Sequence, residues 1–441
     1  MGFIVRERLC MTFDDAIEYI TDALKFGINP GLEKIEAVCS MLGNPQLKYP
    51  AVQITGTNGK TSTAWMTSSL LTATGKKTGC YTSPHLHSYR ERIAIDGEII
   101  SEQDFTETLY AIKPALEDTK NRHGDLTEFE ILTAMAVYYF AEVAVDAAVF
   151  EVGLGGRWDA TSVVNPRVAA ITGVSLDHTN RLGETVEEIA WDKAHIIKTG
   201  CVAVVGNMPP EALKKVEDRC KSVGVETKLL FRDFWFNDIE IIKNKGSRFS
   251  IEGVFAKYDD VKLPVFGTFQ EYNFTMAVAV CESFFGTAIE SRAIDRAGVG
   301  IVCPGRFELL SKNPLVVLDG AHNPEGIGMV VDSLPKAFDF KKLHVVLAVS
   351  NDKDIEQMLE ILTPDVATLI LSRNNSSRSA SLERLTDIAI RSGNSYSIEP
   401  DLRKAIDLVM HIAAAEDLVC ITGSFYTVAD ARELLNSANS D

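Results

Sequence analysis

Residues 56–62 read Gly-Thr-Asn-Gly-Lys-Thr-Ser and follow directly on the apolar run AVQIT that begins at Ala51. Gly56 and Gly59 would let backbone N–H groups point into the turn, Lys60 would supply a cation, and a helix starting behind them would aim its positive end at the same point. Together these groups can hold phosphate. The common phosphate loop has a longer spacer between its glycines; here only Thr57 and Asn58 intervene. Three further polar residues fall just after predicted strands, where open α/β sheets collect ligands: Ser83 in YTSPHLHSYRERI, Glu151 in VFEVGLGGRWDATS and His178 in GVSLDHTNRLG. A hydroxyl, a carboxylate and an imidazole converging beside a phosphate loop suit Mg²⁺ on a nucleotide, with waters completing the shell. Taken singly, Ser83 before Pro84 also reads as a turn former, Glu151 as a strand-end surface charge and His178 as a loop histidine.

Other candidates carry both a structural and a chemical reading. In ETVEEIAWDKAHIIKTG the spacing is helical, with Ile189, Ile196 and Ile197 available for packing and Gly200 as the stop, so Lys193 reads by default as a solvated charge. DLTEFEILTAMAVYYF opens with Thr127 and Glu130 in capping-box spacing. Phe129 has no part in the cap; an aromatic there could wall a pocket for a flat ring, but its spacing alone favours core. In CPGRFELL, Arg306 offers a fork-shaped cation for phosphate. In VVLDGAHNPEGI, Asp319 and His322 follow a strand and precede a helix that would start at Pro324.

The elements that must position these residues alternate. From Ala51 to about Gly206 short apolar runs trade places with helix-like segments, the pattern of a parallel sheet flanked by helices, with strands expected at Val52–Thr55, Cys80–Thr82, Ala147–Val152, Val168–Val174 and Val202–Gly206. Between Leu229 and Phe266 polar turns at KNKGSR and KYDD separate alternating runs, which predicts antiparallel hairpins, and a helix from about Asn273 to Phe285 follows. A second strand-and-helix series begins after Pro304, with strands at Leu315–Leu318, His344–Val349, Ala367–Leu371 and Leu418–Thr422. The expected architecture is therefore α/β in two domains, 1–297 and a smaller Rossmann-like 298–441, with 292–303 as the linker.

The formal net charge of -17 over 441 residues argues against nucleic acid as a partner, because phosphate backbones demand a broad cationic surface. No apolar run is long enough to span a membrane, and MGFIVRERLC lacks the apolar core of a secretory leader. The eight cysteines are scattered without a C-x-x-C pair, as expected of buried, reduced thiols in a cytoplasmic protein.

Taken in order, these stretches resemble the folylpolyglutamate synthase and dihydrofolate synthase family, the folate branch of the Mur ligases. The resemblance rests on GLEKI at Gly31, GTNGKTS at Gly56, TSPHL at Thr82, RERIAIDGE at Arg90, LTEFE at Leu126, EVGLGGRWDAT at Glu151, DHTNRLGETVEEIAWDKA at Asp177, FQEYN at Phe269, PGRFE at Pro304, DGAHNP at Asp319 and TGSFYTVAD at Thr422. It implies a Mur-type ATP-binding domain over 1–297, mostly parallel with a small antiparallel section, and a glutamate-ligase domain over 298–441. It also implies ATP-dependent joining of L-glutamate to a folate or dihydropteroate carboxylate through an acyl phosphate, by a monomer whose partners are small molecules.

Residue by residue, the resemblance makes Gly56, Thr57, Asn58, Gly59, Lys60, Thr61 and Ser62 the ATP loop, and Ser83, Glu151 and His178 the ligands of one Mg²⁺. Lys193 matches a lysine that the family carboxylates to support a second Mg²⁺, a reaction that needs a neutral amine and hence a lowered pKa. Asn273 and Arg306 match ATP contacts, Asp319 and His322 groups facing phosphate and the incoming amino acid, Ser424 a glutamate contact, and Phe129 and Asp159 the pterin pocket. Lys60, His178, Lys193 and His322 would be the catalytic set. The chain departs from the family pattern at Phe269, where histidine is usual, at Trp158 beside Asp159, at Asp192 and His195 around Lys193, and at Thr61, where the folate branch often has glycine. Two other readings stay open on residues alone: a ligase of another carboxylate acceptor, and a nucleotide-binding regulator without ligase activity.

Overall fold

The computed structural model describes residues 11–27, 30–392 and 396–438; the N-terminal stretch read against a leader, and Cys10, lie outside them. By its contacts the chain divides into two compact units, Met1–Phe234 with Met276–Ala293, and Trp235–Thr275 with Ile294–Asp441.

The first unit is built on β1 (Ala51–Thr55), β2 (Thr78–Tyr81), β3 (Ile93–Ile95), β4 (Glu98–Ile99), β5 (Ala147–Glu151), β6 (Pro166–Ile171), β7 (Val202–Val205) and β8 (Glu226–Leu229), in the order β4-β3-β2-β5-β1-β6-β7-β8. Pairing is parallel from β2 to β8, and β3 and β4 add an antiparallel edge. Every residue of β1, β2 and β5 is buried, which is why these strands show no apolar–polar alternation. The chain continues from β1 to β2 on the β5 side, while β6 to β8 extend the sheet the other way. The strand order thus reverses at β1, and the loops after β1, β5 and β6 share the end of the sheet at which such folds bind ligands. One apolar cluster, with Phe105, Leu132, Phe140 and Phe150, gathers the helices Phe13–Asp22, Glu33–Met41, Glu102–His123 and Glu128–Glu142. A second, with Ile171, Ile189, Val205 and Val216, gathers Val186–Lys193 and Pro210–Val223.

The second unit holds an antiparallel sheet of β9 (Trp235–Ile242), β10 (Gly246–Glu252) and β11 (Lys257–Leu263), the hairpins expected from the alternating runs. It also holds β12 (Glu308–Lys312), β13 (Leu315–Leu318), β14 (Leu343–Leu347), β15 (Thr368–Arg373), β16 (Ser397–Asp401) and β17 (Leu418–Thr422), ordered β12-β13-β17-β14-β15-β16. From β13 to β16 this sheet is parallel; β12 joins antiparallel. Phe307, Val317, Val345, Leu347, Leu371 and Cys420 form its core with the helices Pro324–Ala337 and Ile355–Leu362.

Several expectations change. The stretch read as a linker is helix Ser291–Gly300, which buries Ala293, Ile294 and Ala297, three residues whose helical spacing marks one face. The strand expected to reach Val174 ends at Ile171, because Thr172 to Ser175 turn aside to contact the phosphate loop. The outer strands β12 and β16 were not foreseen, since no residue of either is buried and no apolar pattern marks them. The β3–β4 hairpin did leave a signal, Asp96-Gly97, whose positive φ values of 52° and 87° suit a tight hairpin turn. The seven described cysteines are all buried, and none of them is in a disulfide.

Candidate active site

The phosphate loop is shaped from below by Thr172. Gly56 has φ +156°, and a Cβ there would stand 1.9 Å from the Thr172 hydroxyl oxygen, so only glycine lets the loop come this close. The same hydroxyl donates to Asn58 O at 2.6 Å, Thr57 N donates to Gly173 O at 2.9 Å, and Ser175 N donates to the Thr57 hydroxyl at 3.0 Å. Gly59, at φ +81°, caps helix Lys60–Ala73, which runs 14 residues and directs its positive end into the loop. Lys60 Nζ lies over the loop, donating to Gly56 O and Thr57 O at 3.0 Å each. Thr61 and Ser62 are buried behind it.

Thr61 joins the loop to β5. Its hydroxyl donates to Glu151 Oε1 at 2.7 Å, and Ser83 N donates to Glu151 Oε2 at 3.0 Å. Glu151 is 1% exposed, so the strand-end surface-charge reading is set aside: this is a buried carboxylate held between the first turn of the helix and the loop after β2. His178 precedes helix Thr179–Leu182 at φ +49°, with its Nε2 3.8 Å from the Asp177 carboxylate.

Lys193 is not a solvated charge. Helix Val186–Lys193 ends on it, its side chain is buried, and Nζ donates to Gly56 O at 2.9 Å. Burial, reinforced by the neighbouring Lys60 charge and opposed by Asp192, Asp177 and Asp159, brings its pKa down to about 7.

Phe129 and Asp159 meet at Gly153. A Cβ on that glycine would lie 2.7 Å from Phe129 Cζ and 3.2 Å from Asp159 Oδ2, a closeness no larger residue permits. Phe129 is half-buried and packs on Tyr81, the ring centres 5.9 Å apart. Asp159 is buried, accepting from Leu154 N and Thr161 N at 3.0 Å each and from the Thr161 hydroxyl at 2.5 Å. Burial raises its pKa against the pull of those hydrogen bonds. Gln53, inside β1, steadies the same turn by donating to the Thr161 and Ser162 hydroxyls. Beside Phe129, Glu128 pairs with Arg92 at 3.0 Å, and Arg92 Nε donates to His85 Nδ1 at 2.9 Å. Burial, then the Arg92 charge, holds His85 down to about 4, keeping it a neutral acceptor. Gly153, Thr172 and the Arg92–Glu128 pair were missed as site residues; GLGG and RERI were visible as motifs, but only packing reveals what their members touch.

The second unit carries the remaining candidates. Asp319 is buried at the end of β13, accepting from Phe307 N at 2.8 Å and Ala321 N at 2.7 Å. Burial raises its pKa against the opposing pull of Arg306. His322 Nδ1–H donates to Gly320 O at 2.9 Å, so its neutral form presents a lone pair at Nε2. Asn323 caps the helix that starts, as expected, at Pro324. The Arg306 guanidinium lies 4.6 Å over the Phe425 ring centre. Ser424 is buried, accepting from Asn374 Nδ2 at 2.9 Å and lying 2.8 Å from the Thr427 hydroxyl; its visible role is to hold the start of the last helix. Asn273 Nδ2 donates to the fully buried Gln270 at 3.1 Å. Phe269, where a histidine is usual, packs edge-on against Phe307 at 6.0 Å in the aromatic part of this core.

The candidates therefore fall into two groups. Residues 56–62, Ser83, Phe129, Glu151, Asp159, His178 and Lys193 belong to the first unit, and Asn273, Arg306, Asp319, His322 and Ser424 to the second.

Comparison with known proteins matches residues 54–281 to the Mur ligase middle domain and residues 305–425 to the Mur ligase glutamate ligase domain. A dihydrofolate synthase/folylpolyglutamate synthase of Mycobacterium tuberculosis is 37% identical, the match covering 92% of this chain and 90% of that protein. Folylpolyglutamate synthase from the same organism, solved with ADP and AMPPCP, superposes with a TM-score of 0.91 at 35% identity, covering 96% of this chain and 98% of that one. Escherichia coli FolC in complex with DHPP and ADP gives a TM-score of 0.87 at 28% identity, covering 98% and 99%.

Proposed function

Since this chain belongs to the folylpolyglutamate synthase and dihydrofolate synthase family of Mur ligases, we infer from its site how it carries out that family's reaction. The protein is an ATP-dependent ligase that joins L-glutamate to the carboxylate of a folate or of dihydropteroate. The observation that carries the residue assignments is the line of contacts from Lys193 through the Gly56 carbonyl into the phosphate loop, continued by Thr61 to the buried Glu151. The resemblance supplies the domain assignment, with 1–297 as the ATP-binding domain and 298–441 as the glutamate-ligase domain.

In this reading the loop amides of 56–62 and Lys60 hold the ATP phosphates, with Asn273, Arg306 and Asp319 as further contacts. An acceptor carboxylate oxygen attacks the γ-phosphorus, the bond to the bridging oxygen breaks, and ADP leaves behind an acyl phosphate. Lys60 and Arg306 offset the charge that spreads over the phosphoryl oxygens. The glutamate amine then adds to the acyl carbon, loses its proton, and expels phosphate to leave the amide. His322 suits the proton transfer, because its Nδ1–H is already committed to Gly320 O. Phe129 and Asp159 suit the acceptor's flat ring, one as a wall and one as a hydrogen-bonding edge, and Ser424 serves the glutamate end.

Magnesium fits the residues present. Glu151 is a buried carboxylate flanked by the Thr61 hydroxyl, an oxygen-rich setting of the kind hard cations take. Ser83, Glu151 and His178 would hold one Mg²⁺, and a carboxylated Lys193 a second. When bound, the metal supplies Lewis-acid stabilisation of phosphate charge. Lys193 fits carboxylation because its amine titrates near neutrality. The protein is taken to work as a cytoplasmic monomer on small molecules. Release of ADP and phosphate only when a pterin acceptor and glutamate are both supplied is the expected result; equal ATP turnover without either would remove the reading.

A further inference from the structure

Three of the departures noted in the sequence, Trp158, Asp192 and His195, come together on the surface of the first unit with Arg157 and Trp191. The Arg157 guanidinium lies 4.4 Å from the ring centre of Trp158 and 4.8 Å from that of Trp191. Trp191 is braced in turn by His195, whose ring stands edge-on at 4.4 Å and whose Nδ1–H donates to Trp191 O at 2.7 Å. Arg157 N donates to Asp192 Oδ1 at 3.4 Å, tying the loop to the helix that carries Trp191. Among the described residues the guanidinium itself makes no hydrogen bond or ion pair. Trp158 and Trp191 remain 44% and 45% exposed. Two indoles thus orient the cation while its in-plane N–H donors are left unspent, the preorganisation that suits a carboxylate approaching in the fork.

The position of this clamp matters for the acceptor. The hydrogen bond from Leu154 N to Asp159 Oδ2 closes residues 154–159 into a loop. Arg157 and Trp158 ride on it, a short distance along the chain from the Phe129 and Asp159 pair at Gly153. We propose that Arg157, held by Trp158 and Trp191, binds a carboxylate of the glutamyl tail already present on the acceptor, so that this chain favours glutamylated folates over dihydropteroate. The inference rests on the ligase reading above. Free L-glutamate offers the same carboxylate chemistry, and the kinetics separate the two sources.

The test uses the full chain, with steady-state kinetics on dihydropteroate and on mono- and triglutamyl tetrahydrofolate. Arg157→Ala should raise KM for both glutamylated acceptors about tenfold, the loss expected for a charge-assisted pair. It should leave kcat, KM for dihydropteroate and KM for glutamate within about twofold. Arg157→Lys, which keeps the charge without the planar fork, should recover only part of the loss. Trp158→Leu, which removes one face of the clamp and leaves Arg157 in place, should move the same KM values by about threefold, and keeps the test available if Arg157→Ala folds poorly. Unchanged KM values for both glutamylated acceptors in both variants overturn the proposal, as does a rise in KM for free glutamate when dihydropteroate is the acceptor. If the wild-type protein turns over none of the three, the ligase reading falls as well; if it is active and the variants match it, only the clamp falls.

Discussion

With its amine withdrawn from water and set against the Gly56 carbonyl, Lys193 has its pKa brought down to about 7, so the neutral amine is far more accessible near neutral pH than in a solvated lysine. The direction follows from burial: a lowered pKa means the folded state holds the proton less tightly than the unfolded chain, so stability is full above the ordinary lysine value and is lost as pH falls towards the folded one. Lys193→Met should therefore raise the melting temperature, and by more at pH 6 than at pH 10, in a thermal scan. On the chemical side, Lys193→Ala should cut kcat by about a hundredfold or more while the Kd for ADP, read by titration calorimetry, changes by less than about threefold. Full activity in that variant would exclude the carbamate role. The sequence made Lys193 visible only as a matched position. By spacing alone it was a surface charge, because helical periodicity says which face a residue is on but not what loop lies across that face.

At the level of elements, the phosphate loop was legible because strand, glycines, lysine and helix are consecutive in the chain, and local chemistry is enough to name them. The capping box at Thr127 was legible for the same reason. The helix Gln270–Phe285 was also foreseen, but not that its first turn buries Glu271. Among the described residues no group donates a well-formed hydrogen bond to Glu271 Oε2, and the side chain lines a small cavity with Ser247, Thr268 and Ser333. Burial raises its pKa above the ordinary glutamate value, so the folded state binds the proton more tightly than the unfolded chain does. Stability is then greatest below the unfolded pKa and is lost as pH rises through the folded one. Glu271→Gln should be near neutral at pH 5 and should raise the melting temperature by about 2–4 °C at pH 8, the equivalent of about 1 kcal/mol in a unit of this size. A lower melting temperature at pH 8 would show that the carboxylate is ionised and paired.

For the molecule as a whole, ligand linkage is the useful check. ADP at a hundredfold excess over its Kd should stabilise the folded chain by about 2.7 kcal/mol, seen as an upward shift in the thermal transition. Lys60→Ala should abolish most of that shift, and sedimentation should find a single 441-residue chain under the same conditions. A shift unchanged in Lys60→Ala would place the nucleotide away from the loop. At this scale the sequence by itself determined the α/β class, the antiparallel insert, the order of motifs and the anion-holding loop, since each is written in local periodicity or in adjacent residues. Tertiary structure alone decided that Thr172 shapes the loop from the turn after β6, that Gly153 admits Phe129 and Asp159 to the same spot, and that two tryptophans orient Arg157. Those contacts join residues up to a hundred or more positions apart, and burial, not residue type, sets what each group can do there: a lysine becomes a free amine and a glutamate a held carboxylate only once neighbouring elements have excluded water.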